Sequence, residues 1–183
     1  MISNEKQNIL LVDENDCPLG IMDKMEVHQK GLLHRAISVI VFNSKGEMLL
    51  QRRSLNKYHS AGKWSNTCCS HPYPDENPID AARRRLFEEM GINVEKLIFW
   101  KRLLYRVELE NNLIENELDY IFICVTDELP NINKDEVMEY RYANFDSLFE
   151  DVSKNETNYT YWFKLILKEL NLQQISNWIS YAN

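Results

Sequence analysis

Residues 77–91, Asn-Pro-Ile-Asp-Ala-Ala-Arg-Arg-Arg-Leu-Phe-Glu-Glu-Met-Gly, carry a helix start and a helix stop, and so constrain the fold more than any other segment. Asn77 is a good N-cap, Pro78 suits the first helical position, Asp80 favours the positive end of the helix dipole, and Gly91 ends the run. The signals predict one helix over Pro78–Met90. Strand patterns lie on both sides of it. Residues 35–42 are β-branched and apolar, Asn43-Ser44-Lys45-Gly46 turns the chain, and residues 47–53 return, which predicts a hairpin. Strand-like runs follow the helix at residues 96–108 and 114–126, joined by Glu110-Asn111-Asn112, with another near 138–143. Strands before and after one long helix, with further helices at the end, predict an α+β (α/β) fold in which a mixed sheet lies between helices.

The ends of the chain add smaller elements. Residues 9–12 and a turn-rich stretch through Gly20 read as a hairpin, and Asp23 caps a short helix, Lys24–Lys30, that Gly31 ends. Residues 157–170 carry aromatic and aliphatic side chains at helical spacing, and 172–181 continue after a break. Residues 54–73 have no period and are rich in Ser, Asn, Cys and His; a long irregular stretch in a compact fold is more often functional than idle. The 183 residues predict one domain over 1–183, with a short N-terminal extension of about residues 1–33 and a helical C-terminus from about 157 to 183.

Composition narrows the partners. Apolar residues make up 44% of the chain and the net charge is −7, enough for a core and unfavourable to a nonspecific grip on nucleic acid or anionic lipid. The apolar runs are too short to span a membrane, and the start Met1-Ile2-Ser3-Asn4-Glu5 lacks the pattern of a signal peptide. A cytoplasmic protein with four reduced cysteines, monomeric or homodimeric, is the expectation. Any phosphate it binds then needs a local basic cluster or a metal.

Several residues could carry chemistry. Arg84 and Arg85 each precede a glutamate by four, Glu88 and Glu89, and either pair could be an ordinary surface salt bridge. Cys69 and His71 could be a reactive pair or metal ligands, against the commoner reading of inert thiols. Glu115 and Glu117 fall on one face of a strand, where the bland alternative is a solvated edge. His28 lies one helical turn after Lys24, and His34 stands just before a strand; three histidines and two carboxylates near element ends could converge on one ion.

Glu76, Arg84, Leu86, Glu88, Glu89, Gly91 and Ile92 fall in the register of the Nudix box, and this stretch resembles that family's loop-helix-loop. It departs where Ser70 replaces the leading glycine and Arg85 replaces a glutamate of the metal-binding helix face, which argues for a diphosphate held rather than cut. Nearly the whole chain resembles the type 1 isopentenyl-diphosphate isomerases, a Nudix-fold family that shows both departures. The resemblance rests on Lys24 and His28, His34, Arg52-Arg53 with Lys57, Asn66 through Pro72, Arg84-Arg85 with Glu88-Glu89, Tyr105-Arg106, Glu115-Asn116-Glu117, Asp135-Glu136-Val137 and Tyr161-Trp162.

The resemblance implies interconversion of isopentenyl diphosphate and dimethylallyl diphosphate. Moving that double bond requires one proton delivered and another removed on opposite faces, through a tertiary carbocation-like state. The implied proton-transfer groups are Cys69 and Glu117, with Tyr105 beside Glu117, and Trp162 near the developing cation. The implied Mn²⁺ or Zn²⁺ site is His28, His34, His71, Glu115 and Glu117; a Mg²⁺ ion would be held by substrate oxygens, Glu89 and the backbone carbonyl of Cys69. Lys24, Arg53, Lys57 and Arg85 would bind the diphosphate. His59, the fourth histidine, matches no family role and reads as a loop residue.

Overall fold

The protein's computed structural model describes residues 7–182, so the opening residues that argue against a signal segment lie outside it. Its hub is β3 (His34–Phe42), because three elements distant in sequence pair with it. Strand β6 (Cys68–Ser70) pairs antiparallel at Ile37–Val39, placing Cys69 opposite Ser38. On the other side β8 (Ile114–Val125) runs parallel along all of β3, placing Glu117 opposite His34. A parallel pair is buried on both faces, and β3 accordingly reads as a near-continuous apolar run.

The remaining strands extend this centre into one nine-stranded sheet. Strands β1 (Asn8–Val12) and β2 (Pro18–Asp23) form the expected N-terminal hairpin, and β7 (Ile98–Glu108) covers β8. Strand β4 (Met48–Arg53) meets β3 only at the turn, then pairs with β9 (Val137–Ala143) and the two-residue β5 (Trp64–Ser65). The stretch 54–73, expected to be irregular, therefore contains two short strands.

Alternation along the strands makes two cores. On one face Ile37, Val39, Val41, Leu49 and Phe122 pack against Ala82, Leu86 and Met90 of helix α2 (Pro78–Met90). On the other, Ile40, Phe42, Leu50, Ile121 and Ile123 pack against α3 (Phe145–Lys154), α4 (Tyr161–Glu169) and α5 (Leu172–Ala182). The sheet thus lies between helices, as the sequence predicts. Helix α1 (Lys24–Lys30) begins at Asp23, whose carboxylate accepts from the Met25 and Glu26 amides, and ends at Gly31 in the left-handed region, φ +62°. Asn77 occupies the N-cap of α2, but its side chain makes no capping bond. Helix α3 has no counterpart in the sequence reading. Among the described residues no helix is long and apolar enough to cross a membrane.

Candidate active site

His34, Ser38, Glu115, Glu117 and Asp119 share the sheet face that carries the α4 core further along the same strands, and there the apolar alternation gives way to polar groups. All five are buried. A cavity open to solvent is lined by Cys69, Glu117, Trp162 and the cations Lys24, Arg53, Lys57 and Arg85.

The thiol is fixed from several sides. Trp162 donates its indole N–H to Cys69 Sγ at 3.0 Å and to Ser65 Oγ at 2.9 Å, and the thiol donates to Asn66 Oδ1 at 3.0 Å. Burial and the nearby Asp119 carboxylate push the Cys69 pKa up to about 12, so the thiol keeps its proton. Ser38 Oγ lies 3.4 Å from the sulfur and donates to Asp119 at 2.7 Å. Cys68, one residue away, is wholly buried in the α2 core.

Across β3 the charge pattern reverses. The Tyr105 hydroxyl donates to Glu117 at 2.5 Å and to Glu115 at 3.1 Å. Burial works against ionising Glu117, but His34 and His71 beside it hold its carboxyl well below the usual range. Burial and the Glu117 charge push Glu115 well above it. One carboxylate is therefore ionised in a place where two would repel.

His28, His34, His71 and Glu117 present ligand atoms within 4.8 Å of one another. His34 Nε2 lies 3.2 Å from His71 Nε2 and 3.5 Å from a Glu117 oxygen, which is 3.0 Å from His71 Nε2. Two ligand atoms bound at about 2.1 Å to one ion stand about 3.0–3.4 Å apart, so these spacings fit a shared ion. The groups behind two of the three rings agree, whereas His71 Nδ1 is buried without a partner. Nδ1 of His28 donates to the Lys24 carbonyl at 2.7 Å and Nδ1 of His34 to the Leu32 carbonyl at 2.9 Å, leaving each Nε2 lone pair free toward the cluster. His28 Nε2 is buried without a partner. Burial, with His34 close by, lowers the His28 pKa to about 4, which keeps that ring in the neutral, ligating form, and burial lowers His71 to about 3 against the opposing hydrogen bond to Glu117. The donor set fits a transition-metal ion. Glu115 is not within that group: it pairs with His59, at 3.2 Å, and both lie near His28. His59 sits in a loop as expected, yet it is 4% exposed and lines the cavity.

The cations form the third part. Burial and repulsion from Lys57, Arg85 and Arg53 lower the Lys24 pKa to about 8, a measure of how closely the four are gathered. Glu136 faces them, bonded to Lys57 and 3.5 Å from Arg85. Arg85 also donates to Glu89 at 2.6 Å and to Glu88 at 2.8 Å, and its Nε is buried without a partner. Arg84 faces away from this group, clamped on Glu76 by two bonds of 2.7 Å and lying over the Tyr73 ring. Glu89 is buried but is not among the cavity-lining residues, its second oxygen accepting from Gln51 at 2.8 Å. Ser38, Gln51, Tyr58 and His59 belong to this neighbourhood although nothing in the sequence singles them out as site residues, whereas Glu136 is visible there in Asp135-Glu136-Val137.

A NUDIX domain matches residues 32–163, and the fold is that of solved Nudix-type proteins. The Deinococcus radiodurans protein DR0079 superposes with a TM-score of 0.70 at 16% identity, covering 88% of this chain and 98% of that one. An isopentenyl-diphosphate Delta-isomerase of Pectobacterium atrosepticum is 50% identical over 86% of this chain and 87% of its own length. Isopentenyl-diphosphate Delta-isomerase 2 of Photorhabdus laumondii is 45% identical over 93% and 96%. The chain belongs to the isopentenyl-diphosphate Delta-isomerase family.

Proposed function

We propose that the protein interconverts isopentenyl diphosphate and dimethylallyl diphosphate, with Cys69 and Glu117 as the two proton-transfer groups. One observation carries this: the Cys69 thiol and the Glu117 carboxyl line one cavity from opposite sides of β3, in surroundings that raise the pKa of the thiol and lower that of the carboxyl. Such a pair carries one proton between its members, and an alkene transposition needs one donor and one acceptor. Tyr105, donating to Glu117, steadies whichever protonation state the turnover leaves there. Trp162, locked by its bonds to Ser65 and Cys69, lines the place where positive charge develops, and an indole face is worth roughly 2 kcal/mol to a desolvated cation.

The diphosphate is held by Lys24, Arg53, Lys57 and Arg85, whose crowding is relieved by an anion. His28, His34, His71, Glu115 and Glu117 would hold a Mn²⁺ or Zn²⁺ ion, which supplies fixed positive charge next to the proton-transfer carboxylate. Glu89 and the Cys69 carbonyl would hold Mg²⁺ together with substrate oxygens, once Arg85 exchanges its Glu89 bond for a phosphate oxygen. The whole chain works as one domain, the segment before residue 33 supplying Lys24 and His28 and the C-terminal helices supplying Trp162. Four free thiols suit a cytoplasmic enzyme acting on a small soluble substrate. Purified protein given isopentenyl diphosphate and Mg²⁺ is expected to yield the methyl proton resonances of dimethylallyl diphosphate; their absence with both ions supplied rejects the proposal.

A further inference from the structure

His59 lies in the loop between β4 and β5, and nothing in the proposed chemistry uses it. It is nevertheless held like a working side chain. Arg53 donates to its backbone carbonyl at 3.0 Å, its ring stacks on His28 at 6.0 Å between centroids, and Trp162 closes one edge at 5.8 Å. Its Nε2 stands 3.2 Å from Glu115, and its Nδ1 is buried with no partner. A buried imidazole whose Nε2 faces a buried carboxylate calls for an explanation beyond packing.

The ligand atoms of His28, His59 and Glu115 all lie within 4.8 Å of one another, a second group that overlaps the first only at His28. His28 has a single nitrogen to offer, because Nδ1 is spent on the Lys24 carbonyl. Through that nitrogen it can join one ion, so the two groups cannot each hold an ion with a full set of donors. One ion drawing on both groups would have six protein donors: His28, His34, His59, His71, Glu115 and Glu117. We propose that His59 is a ligand of the same ion, the sixth protein donor of the centre, an inference that rests on the metal site described under Proposed function. The 3.2 Å spacing of His59 and Glu115 matches that of neighbouring ligands on one ion, as the 3.0 and 3.2 Å spacings of the first group do.

The consequence is chemical. Metal sites that activate water keep a position open, whereas sites filled by protein donors are closed. A centre with six protein donors leaves no place for solvent and acts by its charge and by fixing Glu117.

The chain has four histidines, so the proposal can be counted. Protein labelled with ¹⁵N-histidine and loaded with ¹¹³Cd²⁺ is expected to show four imidazole nitrogens with one-bond coupling to cadmium, of which His59→Gln removes one. That substitution keeps an amide donor to hold Glu115, so the other three couplings are expected to persist. A histidine that merely orients Glu115 would contribute no coupled nitrogen at all. Three coupled nitrogens in the unmodified protein, with the His59 resonance uncoupled, overturn the proposal and leave the smaller metal site standing. Dialysed protein that retains no cadmium and shows no coupling removes the metal site itself and this inference with it.

Discussion

Cys68 and Cys69 differ by one step of a strand whose side chains alternate between faces, and that step separates a thiol packed against α2 from one that lines the cavity. Cys69→Ala and Glu117→Gln are each expected to reduce turnover by about 10²–10⁴-fold or more with the circular dichroism spectrum retained, since each removes a proton-transfer group without a substitute. Cys68→Ala trims a core contact and is expected to leave turnover within a few-fold; loss of activity in Cys68→Ala but not in Cys69→Ala would show the thiol to be wrongly assigned. Lys24 gives a pH signature. Its pKa, lowered to about 8 by burial and by its three cationic neighbours, means that it is charged below that pH and neutral above it. The grip on a diphosphate therefore weakens as pH rises through about 8, and kcat/KM, which reports the free enzyme, should fall there. In Lys24→Arg the guanidinium stays charged, so this alkaline limb should move upward; an unmoved limb would show that another group sets it.

Helix α2 is legible in full, from Pro78 to Gly91, because its start and stop signals are local, and the same holds for α1 and the two hairpins. Helix α3 carries a comparable signature: Asn144 accepts from the Asp146 amide, and Leu148 and Val152 face the core. It escapes the sequence reading because the strand before it runs into the cap without a Gly or Pro break. Strands β5 and β6 are too short to have a period, and only pairing with β4 and β3 makes them strands. The parts of the site that resist reading from sequence share this origin. Ser38, Gln51 and His59 acquire their neighbours when segments distant in sequence pair, whereas Lys24 and His28 already lie one turn apart on a helix. Two neighbouring arginines of α2, Arg84 and Arg85, show how an element sorts identical residues. Arg84→Ala is expected to lower stability by about 1–2 kcal/mol, through loss of its paired bonds to Glu76, while leaving KM near its original value. Arg85→Glu is expected to raise KM by roughly ten-fold or more, about the 1.4 kcal/mol of one charge-assisted contact. If denaturant melts and KM moved the opposite way round, Arg85 would be the structural salt bridge and Arg84 the substrate contact.

The molecule as a whole is negative, −7, yet it gathers four cations around one cavity, so a diphosphate meets an attractive field there. Two classes of ion should follow from how many donors the protein itself supplies. One transition-metal ion per chain is expected to survive extensive dialysis and to be lost in His71→Ala, whereas Mg²⁺ should bind measurably only when diphosphate is present, because Glu89 alone is a poor site. Elemental analysis and Mg²⁺ titration with and without inorganic diphosphate separate them; a tight ion unchanged in His71→Ala would dismiss the histidine site. The same distribution of groups decides between holding and cutting. Activation of water at a diphosphate asks for carboxylates and an ion on the helix face nearest it, and on α2 the residue that reaches the cavity is Arg85, bonded to Glu88 and Glu89. A guanidinium there neither binds a second cation nor takes a proton from water, since burial works against its charge but the adjacent Glu89 carboxylate outweighs it and raises an already high pKa. An intact diphosphate is also what the alkene chemistry needs, because an allylic diphosphate next to a carbocation-like centre departs readily unless both ends are clamped. Assayed against a panel of nucleoside diphosphate compounds with Mg²⁺ or Mn²⁺, the protein is therefore expected to release nucleotide or phosphate at less than about 10⁻³ of the median enzyme turnover of roughly 10 s⁻¹. Release at ordinary enzymatic rates would mean that Arg85 moves aside to leave a competent carboxylate face.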